Sequence, residues 1–150
     1  VSAEKTRGLL MGRSETFDHT ADLGLRVFAA NLPDLFQTAA EALLDVIVAN
    51  RDQVEPQEAE HLTLTADSTD SLLVDWLNEL IFRCETRHSL YRRFSVEIAQ
   101  DCLGLEAQIF GEPVDSTRHV LDHEVKSVTR HAVTLVRDGA GWKAELILDI

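Results

Sequence analysis

The residues Leu72, Leu73, Trp76, Leu77, Leu80, Ile81 and Cys84 recur with the 3.6-residue period of an α-helix, without a miss. A helix with so continuous an apolar face has to bury it against a second layer, which excludes an isolated or extended architecture. Ser68 or Thr69 can cap its start, and Asp70 stands where the helix dipole favours an anion. A second stripe, Leu35, Phe36, Ala39, Leu43, Leu44 and Ile47, follows Asn31 as N-cap, with Pro33 and Asp34 in the first turn. Elsewhere the apolar period is two: Leu25 and Val27; Leu62 and Leu64; Phe94, Val96 and Ile98; Leu105, Ala107 and Ile109. The last two of these runs are joined through a turn near Asp101 to Gly104. Val128 to Arg137 and Trp142 to Ile150 flank Asp138-Gly139-Ala140-Gly141, a hairpin turn. Gln53 to Glu60 reads as a polar loop, and Val114 to Glu124 as polar and irregular. The pattern predicts an α+β two-layer sandwich, with both amphipathic helices packed on one mostly antiparallel sheet of six or seven strands.

At 150 residues the length suits one domain, expected over 13–150, with residues 1–12 as a flexible N-terminal extension. No apolar run reaches the roughly 20 residues that cross a bilayer, so no membrane role is expected and the cytoplasm is the default location. The two cysteines, Cys84 and Cys102, form no C-x-x-C pair and are expected as reduced thiols. Fourteen Lys and Arg face 26 Asp and Glu, a net charge of −12. Gripping nucleic acid requires clustered cations that displace phosphate counterions, so independent RNA binding is not expected. Such a surface is better matched to cations or to a basic partner protein. Sequence signatures of P-loop NTPases, dinucleotide enzymes, zincins and serine hydrolases are all missing.

Four groups of polar residues could carry chemistry. Phe17-Asp18-His19-Thr20-Ala21-Asp22 precedes a strand and reads first as a turn. The run Ile147-Leu148-Asp149-Ile150 is an apolar strand reaching the last residue, although termini usually fray. If it is tied into the sheet, the α-carboxylate of Ile150 is held beside Asp149. Adding Asp22 from an adjacent strand gives three hard oxygen donors suited to Mg²⁺ or Ca²⁺, one arrangement among several. Asp75 and Glu79 share a helix face pointing away from the stripe, either solvated or directed at a partner or metal. Finally, Gly111 to His119, with His123, Lys126 and His131, offers weak ligand spacing. It reads first as surface histidines and loop ion pairs.

These residues resemble the archease family in four separated blocks. They are His19-Thr20-Ala21-Asp22-Leu23-Gly24; Leu72-Leu73-Val74-Asp75-Trp76-Leu77-Asn78-Glu79-Leu80; Gly111-Glu112 with Asp115, Arg118 and His119; and Val125-Lys126-Ser127-Val128-Thr129 with His131, closing on Leu148-Asp149-Ile150. Arg130 and Ser127 stand where the family usually has an aromatic residue and alanine. The resemblance implies an accessory protein, not an enzyme, that promotes guanylylation and multiple turnover of an RtcB-type RNA ligase in tRNA splicing or RNA repair. It implies a divalent cation, calcium first with magnesium or manganese as alternatives, held by Asp22, Asp149 and the carboxylate of Ile150. It further implies ligase-facing or site-supporting roles for His19, Asp75, Glu79, Glu112, Asp115, Lys126 and His131. Two other readings share the carboxylates: a metal-dependent phosphohydrolase, which would turn over substrate alone, and a chaperone-like binding module, which would suppress aggregation without a ligase.

Overall fold

Both helical stripes are buried as their spacing predicts, in a computed structural model that describes residues 12–19 and 22–150. Helix α1 (Leu32–Ile47) opens at Asn31, whose side-chain oxygen accepts from the Asp34 N–H at 2.9 Å. Helix α2 (Thr69–Arg87) opens at Ser68, whose Oγ accepts from the Ser71 N–H at 3.1 Å. The α2 stripe from Leu72 to Ile81 is buried, with Trp76 wholly so. The Trp76 indole Nε1 donates to the Phe36 carbonyl of α1 at 2.9 Å, and its ring meets Phe94 edge-on.

The strands are β1 (Arg13–His19), β2 (Asp22–Ala29), β3 (Glu58–Thr65), β4 (Ser89–Ile98), β5 (Gly104–Pro113), β6 (Ser127–Val128), β7 (Thr134–Asp138) and β8 (Gly141–Asp149). Every pairing is antiparallel. The expected α+β class holds, but the strands divide into two sheets instead of one. Five form a sheet in the order β1-β2-β8-β6, with β7 also on β8, and three form a sheet in the order β3-β5-β4. Helix α1 touches both β2 and β4, which is why it is buried on more than one side, from Leu32 and Phe36 round to Ala42 and Val46.

Three local readings change. Residues 13–19 form a strand where a turn was expected to begin at Phe17; Thr20 and Ala21 of that motif, and residues 1–11 of the extension expected over 1–12, lie outside the described residues. The strand offers no apolar period to read, because Phe17 is its one apolar residue. Glu58 to Glu60, assigned to a polar loop, already pair with β5. Val128 to Arg137 is not one strand: β6 ends at Val128 and a 3-10 turn over Arg130–Ala132 separates it from β7. The turn at 138–141 is as expected, with Gly139 at φ +61°.

Two glycines permit close approaches. A Cβ on Gly24 would lie 2.2 Å from the Phe17 ring, which covers β2 at this point. A Cβ on Gly111 would lie 1.9 Å from the Leu90 carbonyl oxygen, beside the irregularity between Tyr91 and Arg93. Among the described residues no helix is long and apolar enough to cross a membrane, and both cysteines are free. Burial pushes the Cys84 thiol up to about 12, so it stays protonated.

Replacing Trp76 with Phe removes buried surface and the hydrogen bond to Phe36. Urea unfolding should show a loss of about 2–4 kcal/mol, against less than about 1 kcal/mol for Thr63→Ala on the exposed side of β3.

Candidate carboxylate row and its supports

Strands β2 and β8 are registered Leu23 to Leu148, Leu25 to Leu146 and Val27 to Ala144. Those side chains face the core; Leu25, Val27, Ala144, Leu146 and Leu148 are all buried in it. Successive residues of a strand face opposite sides, so Asp22 and Asp149 point to the other face. One step beyond the Leu23–Leu148 pair, the register brings them opposite each other, where facing Cβ atoms are about 5 Å apart. The same line extends both ways, His19 pairing with Asp22 and Ser127 with Asp149. A row His19, Asp22, Asp149, Ser127 therefore crosses four strands. Its aspartates are half-buried, and Asp149 makes no side-chain ion pair among the described residues. Ile150 follows, half-buried and packed against the core.

The row is held from both sides. Asn78 of α2 grips the backbone of β6: its Oδ1 accepts from the Val128 N–H at 2.8 Å and its Nδ2 donates to the Val128 carbonyl at 3.3 Å. The Lys126 N–H donates to the Asp149 carbonyl at 2.7 Å, and the Thr129 N–H to the Ile147 carbonyl at 3.0 Å. Nearer β1, Arg26 bridges Glu145 at 2.5 Å and Glu15 at 2.8 Å, and lies over the Phe17 ring. The hydrogen bond and charge of Arg26 hold the Glu145 carboxyl below its ordinary value. Asn78 lay within a motif block without being singled out. Its signal was an amide on a helix face otherwise given to acids and apolar residues.

Among the described residues, no three His, Cys, Asp or Glu side chains converge in a way that could hold a metal. The row thus supplies two side-chain carboxylates, and a third donor would have to come from the main chain or a partner. The other expected site residues are distributed around it. Asp75 is ion-paired with Arg130, and Glu79 with Arg83 at 2.7 Å, which also reaches Glu60 at 3.0 Å. Each acid of that helix face is thus neutralised within the fold. Lys126 and His131 are exposed on the segment that leads into and out of β6.

Glu112 and Asp115 belong to a separate network on the three-stranded sheet. Glu112 is 5% exposed; it accepts from Arg118 Nη2 at 2.6 Å and from the Glu55 N–H at 2.7 Å. Its other partner is His119, whose Nε2 lies 3.0 Å away, while Nδ1 accepts from the Asp115 N–H at 2.9 Å. That arrangement assigns the ring proton to Nε2. His119 is buried, contrary to the reading of surface histidines, and it forms no ligand set with exposed His123. Asp115 binds the Thr117 N–H and hydroxyl and pairs with Arg118 at 3.2 Å, which keeps its carboxyl low. The Arg118 guanidinium holds Glu112 down to about 2, with help from the Glu55 N–H and His119, against the opposing effect of burial. Asn50 closes the network by clamping the Arg118 carbonyl and the Val120 N–H, both at 2.8 Å.

Residues 15–150 match the family described as "Archease protein family (MTH1598/TM1083)". The chain is 35% identical over 144 residues to Protein archease of Pyrococcus abyssi, covering 93% of this chain and 100% of that one. It is 37% identical over 138 residues to Protein archease of Methanopyrus kandleri, covering 91% and 98%. The solution structure of protein 1598 of Methanobacterium thermoautotrophicum superposes with a TM-score of 0.79 at 33% identity, over 91% of this chain and 98% of that one. The fold is shared with an archease and possible chaperone of Thermotoga maritima, with a TM-score of 0.65 at 18% identity, over 91% and 96%.

Because Glu112 holds its charge to lower pH when folded than its ordinary 4.5, it stabilises the fold fully above about pH 4.5. That contribution falls away as pH drops towards about 2. The stability gap between wild type and Glu112→Gln, followed by urea unfolding, should close across that window. Asn78→Ala should cost about 1–2 kcal/mol and raise hydrogen exchange at Val128 more than in the core of β8.

Proposed function

This chain belongs to the archease family, and on that premise we propose that it is an accessory factor of an RtcB-type RNA ligase and not itself an enzyme. In this reading it promotes guanylylation of the ligase from GTP and lets the ligase turn over repeatedly. Asp22 and Asp149, with the α-carboxylate of Ile150 where that residue ends the chain, hold a divalent cation. The observation that supports this most is the β2–β8 register, which carries two aspartates to one face of the sheet at adjacent positions. Facing carboxylates repel unless a proton or cation lies between them. Asp149 makes no ion pair with a basic side chain among the described residues. Carboxylate oxygens are hard donors, which fits calcium, magnesium or manganese and not a thiolate-seeking metal.

When bound, the cation supplies positive charge where a triphosphate reacts, since phosphoryl transfer depends on positioning and charge neutralisation. The chain's own contribution is geometric. Asp22 and Asp149 fix the donors on paired strands, Asn78 keeps β6 against β8, and exposed Lys126 and His131 flank the row on the side that would face the ligase. His19 stands at the register position opposite Asp22. Glu112 and Asp115 act at a distance, ordering the loop after β5. The net charge of −12 suits docking on a basic ligase surface better than on RNA itself.

The decisive measurement mixes the protein with a cognate RtcB-type ligase and GTP, and counts covalent GMP–ligase and rounds of ligation. Asp22→Ala should abolish the stimulation and lower calcium affinity at least about tenfold while the unfolding midpoint stays close to wild type. Stimulation as strong as wild type would remove the carboxylate row from the mechanism. One residue added after Ile150 should blunt the effect without abolishing it.

A further inference from the structure

A groove of about 440 Å³ lies between the C-terminal half of α2 and residues 121–125. Ile47, Ile81, Leu90, Val114 and Val125 form an apolar floor. Glu85, Asp122 and Glu124 stand around it, with His88 and His123, and neither Lys nor Arg lines it. Glu85 and Glu124 are exposed and make no ion pair among the described residues. The walls are ordered: the Asp122 N–H donates to the Ile47 carbonyl at 2.8 Å, the His123 N–H donates to the Val46 carbonyl at 3.1 Å, and Leu121 bridges to Val48.

Exposed apolar side chains also stand on the two segments that bound the groove. Leu121, which lines the groove, is 57% exposed, its neighbour Val120 56% and Phe82, next to Ile81 on α2, 58%. Of the exposed large hydrophobic residues among those described, only Val136 lies elsewhere in the chain. An apolar groove with exposed apolar side chains on its bounding segments and a polar rim is the composition of a protein-binding surface. The rim's charge is complementary to a cationic occupant. The groove is also joined to the carboxylate row: Val125 of its floor runs directly into Lys126, whose N–H holds the Asp149 carbonyl, and Ser127, which pairs with Asp149.

We propose that this groove receives a segment of the partner ligase carrying a large apolar side chain flanked by Lys or Arg, and so anchors the ligase beside the carboxylate row. The proposal rests on the reading of the protein as a ligase accessory factor. The apolar side chain fills the floor, and the flanking cations meet Glu85 and Glu124.

Two variants test it with the full chain and a cognate RtcB-type ligase, by calorimetric titration. Leu121→Glu places a charge at the mouth on a side chain already exposed; Glu85→Arg with Glu124→Arg reverses the rim at exposed positions. Each should weaken ligase binding at least about tenfold, with calcium affinity and unfolding midpoint unchanged. The double reversal should also flatten the salt dependence of binding. If both variants bind the ligase as wild type does, the groove is not the docking site, while the accessory reading stands. If wild type itself fails to bind the ligase, that reading fails and the groove loses its occupant. If the variants instead disperse a wild-type dimer in sedimentation and leave ligase affinity intact, the occupant is a second copy and the proposal is overturned.

Discussion

The pairing of β2 with β8 is the constraint on which the rest of the structure depends. These two strands lie inside the five-stranded sheet, so each is hydrogen-bonded on both edges. Their core-facing residues, Leu25, Val27, Ala144, Leu146 and Leu148, meet the helices and leave no freedom to slip. A shift of one residue would turn every apolar side chain outward and every polar one inward. Burying the leucines therefore also dictates what the opposite face carries. Asp22 and Asp149 are adjacent because Leu23 and Leu148 are paired.

Polar clamps convert this frame into a defined surface. A two-residue strand such as β6 has little pairing energy of its own, and Asn78 supplies the missing backbone partners from α2. The loop after β5 has few apolar residues to hold it. There a buried carboxylate with Arg118, His119 and the Glu55 N–H takes the place of a core, and every hydrogen-bonding atom of Glu112 and the His119 ring is engaged. Charge burial of this kind is tolerated only when the partners are complete, because an unpaired buried carboxylate would cost several kcal/mol. Both clamps act on the chain between 118 and 130, which forms one wall of the acidic groove and continues to the carboxylate row.

The two regions differ in how they meet solvent. At the row, half-buried Asp22 and Asp149 share one face of the sheet. The groove is apolar with acids at its lip. The two regions are joined through residues 125–127.

Periodicity alone was enough for both helices, their caps, the β4–β5 and β7–β8 hairpins and the α+β class, because an apolar stripe can be buried in only one way. The carboxyl-terminal acids and Asp22 were legible as a charge problem, and the resemblance carried by His19 to Gly24 and Leu148 to Ile150 pointed to the same residues. Tertiary structure decided what has no local period. It made Arg13 to His19 a strand, since pairing with the backbone of β2 orders a segment that has no apolar period of its own. It split the strands into two sheets, since α1 contacts both. It buried His119, since Glu112 at the end of β5 and the Asp115 N–H between them satisfy both ring nitrogens. The acidic groove belongs to this second class: its walls come from α1, from α2 running into β4, and from the loop after β5, three stretches that are far apart in the sequence.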